Sequence, residues 1–394
     1  MILTKKQEEG LAAAVRRFHD REPYTVISGY AGSGKSTLIK FIIAALGVED
    51  DKVAYVAFTG KAANVLKQKG CPNATTAHKL LYKARPLPDG SYIFIAREEL
   101  EAPYEVIIVD EVSMLPAQMW ELLLSHRVYV LAMGDPGQLP PINPEDDNHV
   151  LDNPHVFLDE IMRQAQESEI IRLSMHVRDG QPISGFEASG QQVKILTANQ
   201  LVSGVYEWPD QILCATNRKR NEINQIVRNL RGYGDYPCEG DKIISLKNHW
   251  DIYSDNEDSP LTNGAIGYLK TCSVQTIYVP KFIYDKPLNI LVSDVETEDG
   301  DRFGGLCLDY QALVTGEKTL STKQEYLMNK NKRCMNAPLE FVYGYAITGH
   351  KAQGSEWEKV LAFEERFPFS AEDHKRWLYT VITRASDKLV IVKS

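Results

Sequence analysis

Residues Gly29 to Ser36 read GYAGSGKS, set between the apolar run Tyr24-Thr25-Val26-Ile27 and a helix-like stretch that ends at Leu46. A strand that feeds a glycine-rich turn into a helix N-terminus aims several backbone N–H groups, and the positive end of the helix dipole, at one point. Gly29, Gly32 and Gly34 let the backbone curl around a phosphate without a Cβ clash. Lys35 is placed to reach β- and γ-phosphates and Ser36 to hold Mg²⁺, with Ser33 and Thr37 beside them in the same cradle. The segment implies a bound nucleoside triphosphate and ties the chain to strand–turn–helix architecture.

The rhythm around the loop extends that architecture. Candidate strands are Tyr24–Ser28, Val53–Phe58, Val106–Val109 and Val128–Met133, and helical patterns cover Thr4–Asp20, Ser36–Leu46, Gly60–Lys69 and Pro116–Leu124. Near-continuous apolar strands separated by helices predict a parallel sheet covered on both faces, with ligands beyond the C-terminal strand ends. The rhythm fails between Leu81 and Tyr104, where a turn cluster (Pro86, Pro88, Asp89, Gly90) precedes Ser91–Ile95. That reads as an inserted β-hairpin, either a working element or a plain surface excursion. The proline- and acid-rich stretch Pro140–Asp147 reads as an interdomain linker. A second strand–helix pair follows at Ile212–Ala215 and Arg218–Asn229. From about Cys238 to Arg333 short β-like segments (Ile266–Leu269, Val274–Val279, Ile290–Val295) predict a small β module. Strand–helix alternation returns over Glu340–Ser394.

Composition narrows the partners. The 394 residues are 43% hydrophobic and 25% charged, enough for two or three domains with cores. A formal net charge of -9 means that any nucleic-acid site is a local basic track rather than a global field. Six scattered cysteines lack zinc-ligand spacing and read as reduced thiols. With no signal pattern and no long apolar run, the chain is expected in the cytoplasm, away from membranes.

Further motifs sit at the strand ends. Ile107-Ile108-Val109-Asp110-Glu111 is an apolar strand closing on two acids, the place for a carboxylate that holds Mg²⁺ (Asp110) and one that orients or deprotonates a water (Glu111). Gly134–Pro141 follows the next strand, and Gln138 in it suits sensing of a γ-phosphate or its water, although alone the segment is equally a proline-rich turn. Val342–Gly354 gathers Thr348, His350, Lys351 and Gln353, donors suited to phosphodiester contacts or simply a solvated loop. Tyr379–Arg384 ends in an arginine of the kind that, delivered from another domain, stabilises charge on a transferring phosphate.

In this order the segments resemble superfamily 1 helicases, in the RecD-like and Dda-like branch termed 1B. The resemblance runs from Gln7 to Arg384. It implies two RecA-like α/β domains with parallel sheets: 1A over residues 1–145, with a 1B hairpin at about 81–104, and 2A over 146–268 and 334–394, with an SH3-like 2B insertion over 269–333. It implies that Gln7 reads adenine, that Arg163 in IMRQ reaches the γ-phosphate, that Arg384 is an arginine finger, and that Glu356 touches the ribose. It implies DNA contacts for Thr59 and Lys61 (FTGKAA), His78 (TTAHKL), Asn217, Thr348, His350 and Lys351, with Tyr92 and Phe94 as aromatics of the hairpin. Tyr30, Val381 and Ser386 depart from the family pattern without removing a catalytic group.

The function so implied is an ATP- and Mg²⁺-dependent helicase that moves 5′ to 3′ on single-stranded DNA and opens duplexes bearing a 5′ tail. It is expected to act as a monomer, with single-strand-binding or replication and repair proteins as candidate partners. Replication, recombination and repair stay open. The alternative is a nucleotide-dependent DNA-binding switch or loader that grips without unwinding. A metabolic P-loop kinase leaves the later motifs unexplained.

Overall fold

Side-chain alternation explains the first sheet. Consecutive residues of a strand face opposite sides, and in this chain both sides are apolar. Val26, Ala54, Val56, Ile107, Val109, Val130 and Ala132 enter one core, with Leu80, Trp120 and Leu123 from helices Ala77–Leu81 and Ala117–Ser125. Their neighbours Ile27, Val53, Tyr55, Val106, Ile108, Leu131 and Met133 enter another, with Ala14, Leu38 and Ile42 from helices Lys5–His19 and Lys35–Leu46. A sheet with two apolar faces is stable only when helices cover both.

The structure is a computed structural model of the chain. It describes all residues except 1–2, 69, 72, 87–91, 142, 257–259, 332, 366–369 and 394, and only the backbone at 68, 84, 86, 92, 144, 163, 164 and 250. In chain order the first strands are β1 (Tyr24–Gly29), β2 (Val53–Ala57), β3 (Ala74–Thr76), the hairpin pair β4 (Tyr82–Pro86) and β5 (Tyr92–Ala96), then β6 (Val106–Val109), β7 (Tyr129–Gly134) and β8 (Val156–Leu158). Apart from the hairpin they form one parallel sheet in the order β3-β2-β6-β7-β1-β8.

Strand β8 corrects the expected linker and the boundary at residue 145. The chain returns after the proline-rich stretch to pair Ile27 with Val156 and Gly29 with Leu158. Asn148 Nδ2 donates to the carbonyls of Val112 and Leu115, both at 2.7 Å, and pins the stretch to the first domain. The stretch is therefore a loop of that domain.

The next strands are β9 (Val193–Thr197) and β10 (Gln211–Cys214), followed by β11 (Lys242–Ser245), β12 (His249–Tyr253), β13 (Pro260–Leu261), β14 (Ile266–Leu269), β15 (Ser273–Ile277), β16 (Leu288–Thr297), β17 (Arg302–Asp309), β18 (Phe341–Tyr343) and β19 (Ala346–Thr348). The chain ends with β20 (Trp357–Phe363) and β21 (Ala385–Lys393). A second parallel sheet runs in the order β10-β20-β21-β9. An antiparallel sheet runs β15-β16-β14-β11-β18, with β17 also paired to β16.

The chain divides into two compact units. One comprises Met1–Tyr82, Ala96–Ala215 and Gly349–Ser394 and carries the first parallel sheet with β9, β10, β20 and β21; the other comprises Lys83–Ile95 and Thr216–Thr348 and carries the antiparallel sheet. Strands β11 and β14 lie within the β module read from about Cys238 to Arg333 but start before the SH3-like insertion implied over 269–333, and β18 lies beyond both. Helix Asn217–Leu230 is locked to the antiparallel sheet by buried polar groups. Arg228 reaches Asp241 with Nε to Oδ1 at 2.9 Å and Nη2 to Oδ2 at 3.1 Å, and Tyr345 donates to Asp241 Oδ1 at 3.0 Å. Asn224 Nδ2 donates to the Tyr343 carbonyl at 2.8 Å. A buried charged pair is tolerated only when its remaining groups are satisfied in this way. Among the described residues no helix is long and apolar enough to cross a membrane, and the six cysteines are free.

Candidate functional site

The loop after β1 has the conformation its glycines require. Gly32 and Gly34 lie at φ +78° and +79°, where a side chain is strained, and a Cβ on Gly29 would stand 2.7 Å from Ser33 Oγ and 2.8 Å from Leu158 Cβ. Gly34 starts helix Lys35–Leu46 with no side-chain cap and no acid in the first turn, so the N–H groups there stay available for an anion. Ser33 Oγ is buried without a hydrogen-bond partner. Lys35 Nζ donates to the carbonyls of Gly29 at 2.6 Å and Tyr30 at 3.2 Å and lies 3.9 Å from Asp135 Oδ2.

Gln7 stands behind the loop rather than in the cavity in front of it. Its Nε2 donates to the Ser33 carbonyl at 3.0 Å, and its Oε1 accepts from Thr4 N in a capping box. A Cβ on Gly34 would overlap Gln7 Nε2, so the loop and the amide are fitted to each other.

Across from the loop, β6 delivers Asp110 and Glu111. Glu111 sits at φ 51°, ψ 50°, the left-handed region, which for a non-glycine residue costs about 1–2 kcal/mol. Its Oε1 accepts from Gln138 Nε2 at 3.1 Å, and its Oε2 is buried without a partner. Asp110 Oδ1 accepts the Glu111 N–H at 3.0 Å. Asp135 is buried, and burial pushes its carboxyl above the usual carboxylate range, opposed by the Lys35 charge and the Tyr379 hydroxyl.

These groups line one cavity of about 1190 Å³. Lys35, Ser36 and Thr37 line it from the loop, and Asp110, Glu111, Asp135 and Gln138 from the ends of β6 and β7. Glu356, Thr383 and Arg384 line it from the segments flanking β20 and β21. Arg384 is buried and donates to the carbonyls of Thr380 (3.1 Å) and Ser355 (3.2 Å) and to Thr383 Oγ1 (3.2 Å). The open helix N-terminus, the left-handed glycines and the unpartnered Ser33 hydroxyl fit a polyphosphate, whereas the unpartnered Glu111 oxygen is an acceptor suited to a water. Ser36 and Asp110 both line the cavity and carry hard oxygens of the kind that could hold Mg²⁺. The side chain of Arg163 lies outside the described residues; its backbone opens helix Arg163–Glu167.

The residues expected at DNA divide between the units. In the first, Thr59 Oγ1 accepts the Ala62 N–H at 3.2 Å, and the His78 ring lies 6.0 Å from each of the Phe58 and Tyr82 rings. Lys61 Nζ stands 4.4 Å over the Trp357 ring, and a Cβ on Gly354 would approach Ala62 Cβ at 3.1 Å. His350 and Lys351 lie in the short helix Gly349–Ala352, not in a loop. Burial lowers the imidazole pKa of both His78 and His350. Gln353, grouped with these donors in the sequence, is instead buried and donates to the Leu139 carbonyl at 2.8 Å. In the second unit, Thr348 ends β19, and exposed Asn217 opens its helix with Oδ1 accepting from Arg220. Phe94 is exposed on β5, and the Tyr92 side chain lies outside the described residues.

Sequence reasoning did not single out Tyr379. Its hydroxyl accepts the Ala31 N–H at 2.8 Å and lies 2.7 Å from Asp135 Oδ2. Tyr30, a departure from the family pattern, packs edge-on to Phe157 at 5.1 Å, with the Arg178 guanidinium 4.1 Å above its ring. The aromatic character of both residues was legible, but not what they face.

The sequence profile of the AAA domain matches residues 3–200, and that of the UvrD-like helicase C-terminal domain matches residues 343–392. The ATP-dependent RecD2 DNA helicase of Deinococcus radiodurans is 27% identical, over 98% of this chain and 49% of its own length. The ATP-dependent DNA helicase dda of Enterobacteria phage T4 is 25% identical, over 57% of this chain and 56% of its own. The chain thus spans about half the length of these relatives. In fold it is similar to Bacteroides Pif1 bound to single-stranded DNA, with a TM-score of 0.54 at 17% identity over 99% of this chain and 92% of that one. The chain belongs to the AAA domain family and, like the relatives named above, to the RecD-like and Dda-like superfamily 1B helicases.

Proposed function

We propose that the chain is an ATP-driven DNA helicase that moves 5′ to 3′ along single-stranded DNA and opens duplexes. The observation that carries this reading is the cavity in which a phosphate loop and two strand-end acids meet an arginine from the segment before β21. Lys35 and the loop amides hold the phosphates, and Ser36 and Asp110 hold Mg²⁺, which when bound neutralises phosphate charge. Glu111 takes the proton of the attacking water, and Gln138 fixes the orientation of Glu111 through their 3.1 Å hydrogen bond. Arg384 and Arg163 stabilise charge on the transferring group and Glu356 contacts the ribose, while Gln7, whose amide is held by the Ser33 carbonyl and Thr4 N–H behind the loop, is assigned to the adenine by family resemblance alone. Closure around the triphosphate and reopening after hydrolysis then shift a two-state population.

Thr59, Lys61, His78, His350 and Lys351 grip DNA in this reading, and the close approach of Gly354 to Ala62 links two of the gripping segments. Asn217, Thr348, Tyr92 and Phe94 are assigned to the same track by family resemblance. The protein works as a monomer in the cytoplasm, with single-strand-binding or replication and repair proteins as candidate partners.

A fluorescent duplex with a 5′ single-stranded tail is expected to be unwound, and one with a 3′ tail left intact. Unwinding from the 3′ tail alone would overturn the polarity. The exposed apolar side chains of Ile93, Phe94 and Ile95 support strand separation at the hairpin. Deleting Pro86–Ile95 should abolish unwinding while translocation, read by displacement of streptavidin from a biotinylated strand, persists. Retained unwinding would take the hairpin out of the mechanism, and a wild-type chain that hydrolyses ATP and binds DNA without unwinding would favour the loader.

A further inference from the structure

Tyr379, in helix Ala371–Ile382, bridges the phosphate loop and the turn after β7. It is 1% exposed. Its hydroxyl accepts the Ala31 N–H of the phosphate loop and touches Asp135 Oδ2. A backbone amide can only donate, so the single hydroxyl hydrogen goes to Asp135. Burial, reinforced by the Asp135 charge, raises the phenol pKa and keeps that hydrogen in place. The ring leaves no slack, since a Cβ on Gly137 would stand 2.9 Å from Tyr379 Cε1.

The turn at 135–139 is therefore gripped at both ends by segments next to the second parallel sheet. Tyr379 holds Asp135, and the next residue, Thr380, accepts the Leu139 N–H at 2.9 Å while Gln353 donates to the Leu139 carbonyl at 2.8 Å. Between these anchors Gln138 reaches Glu111. At the other side of the relay, Lys35 sits 3.9 Å from Asp135.

We propose that Tyr379 is a positioning residue that transmits occupancy of the phosphate loop to the 135–139 turn and thereby sets Gln138 against Glu111. When Lys35 turns toward a phosphate, the Tyr379 hydroxyl and the Gly137 N–H remain as hydrogen-bond donors to the Asp135 carboxylate. The relay tightens as the cation leaves. The Ala31 tie then moves Tyr379 with the loop, and the closely packed ring carries the turn along. This inference rests on the reading of the cavity as an ATP site.

The test is Tyr379→Phe, which removes both hydrogen bonds and keeps the ring. Hydrogen–deuterium exchange is followed over the loop peptide and over the peptide covering 134–139, with and without ATPγS. In the wild type the nucleotide should slow exchange in both; in the variant it should protect the loop alone. Equal protection of both peptides in the variant overturns the proposal. ATP turnover at saturating single-stranded DNA should fall about tenfold with KM changed less than about threefold, the scale of losing a hydrogen bond to a charged group. Asp135→Asn should cause a similar loss, and the double variant should lose no more than the worse single one; additive losses would show that the two residues act separately. A wild type without DNA-stimulated turnover would sink the helicase reading, whereas the exchange experiment would still decide the role of Tyr379.

Discussion

Lys35→Ala should lower ATP turnover at saturating single-stranded DNA by about 100-fold or more, the scale seen when one preorganised electrostatic donor is removed from a reaction centre. The geometry makes the loss specific. Lys35 Nζ lies on the Gly29 and Tyr30 carbonyls at the mouth of the loop, whereas Lys40, which also lines the cavity, stands more than a turn further along the same helix. The same variant has a pH signature. Lys35 opposes the burial that raises the Asp135 pKa, so its removal raises that pKa further. A carboxyl whose folded pKa is raised contributes stability below its unfolded pKa and loses it as pH climbs through the folded value. The stability deficit of Lys35→Ala should therefore be larger at neutral pH than in mild acid, as read by urea unfolding at both. A deficit independent of pH would uncouple Lys35 from Asp135, and turnover near the wild-type rate would remove the loop from the chemistry.

What the sequence disclosed follows the range of the forces involved. The strands around the phosphate loop were legible because each is a short apolar run whose alternate residues feed two cores, a pattern written locally. The loop and Asp110-Glu111 were legible for the same reason: their chemistry sits in consecutive residues. Strand β8 was not, because three residues whose pairing depends on a distant β1 leave little pattern. The β module read from about Cys238 to Arg333 held β11 and β14 but not β18, whose pairing with β11 joins segments far apart along the chain. Gln353 looked like a solvent-facing donor until Leu139 stood opposite it. Tyr379 was not singled out, because its hydroxyl acquires meaning only from Ala31 and Asp135, and no local pattern names those partners.

Arg384→Ala should reduce turnover by about 10³-fold or more, the range for an arginine that stabilises a transferring phosphoryl group. Its surroundings argue for such a role. The guanidinium is buried, and its hydrogen bonds go to the carbonyls of Thr380 and Ser355 and the hydroxyl of Thr383. All three acceptors are neutral, and among the described residues no carboxylate forms an ion pair with it. A buried cation without a counter-charge is costly unless an anion completes its site, and the cavity it lines is shared with the phosphate loop. Three of its five N–H groups are engaged, which leaves two for a phosphate oxygen. The loss should fall on kcat with a small change in KM, because the interaction strengthens as charge moves toward the transition state. Arg384→Lys separates charge from geometry: a lysine keeps the cation but cannot reproduce the planar fork held by Thr380 and Ser355, so it should recover only part of the loss. Binding of single-stranded DNA without nucleotide should be unchanged in both variants. If Arg384→Ala retained turnover within about threefold of the wild type, Arg384 would be a packing residue of its own segment and charge on the transferring phosphate would have to be met by other groups.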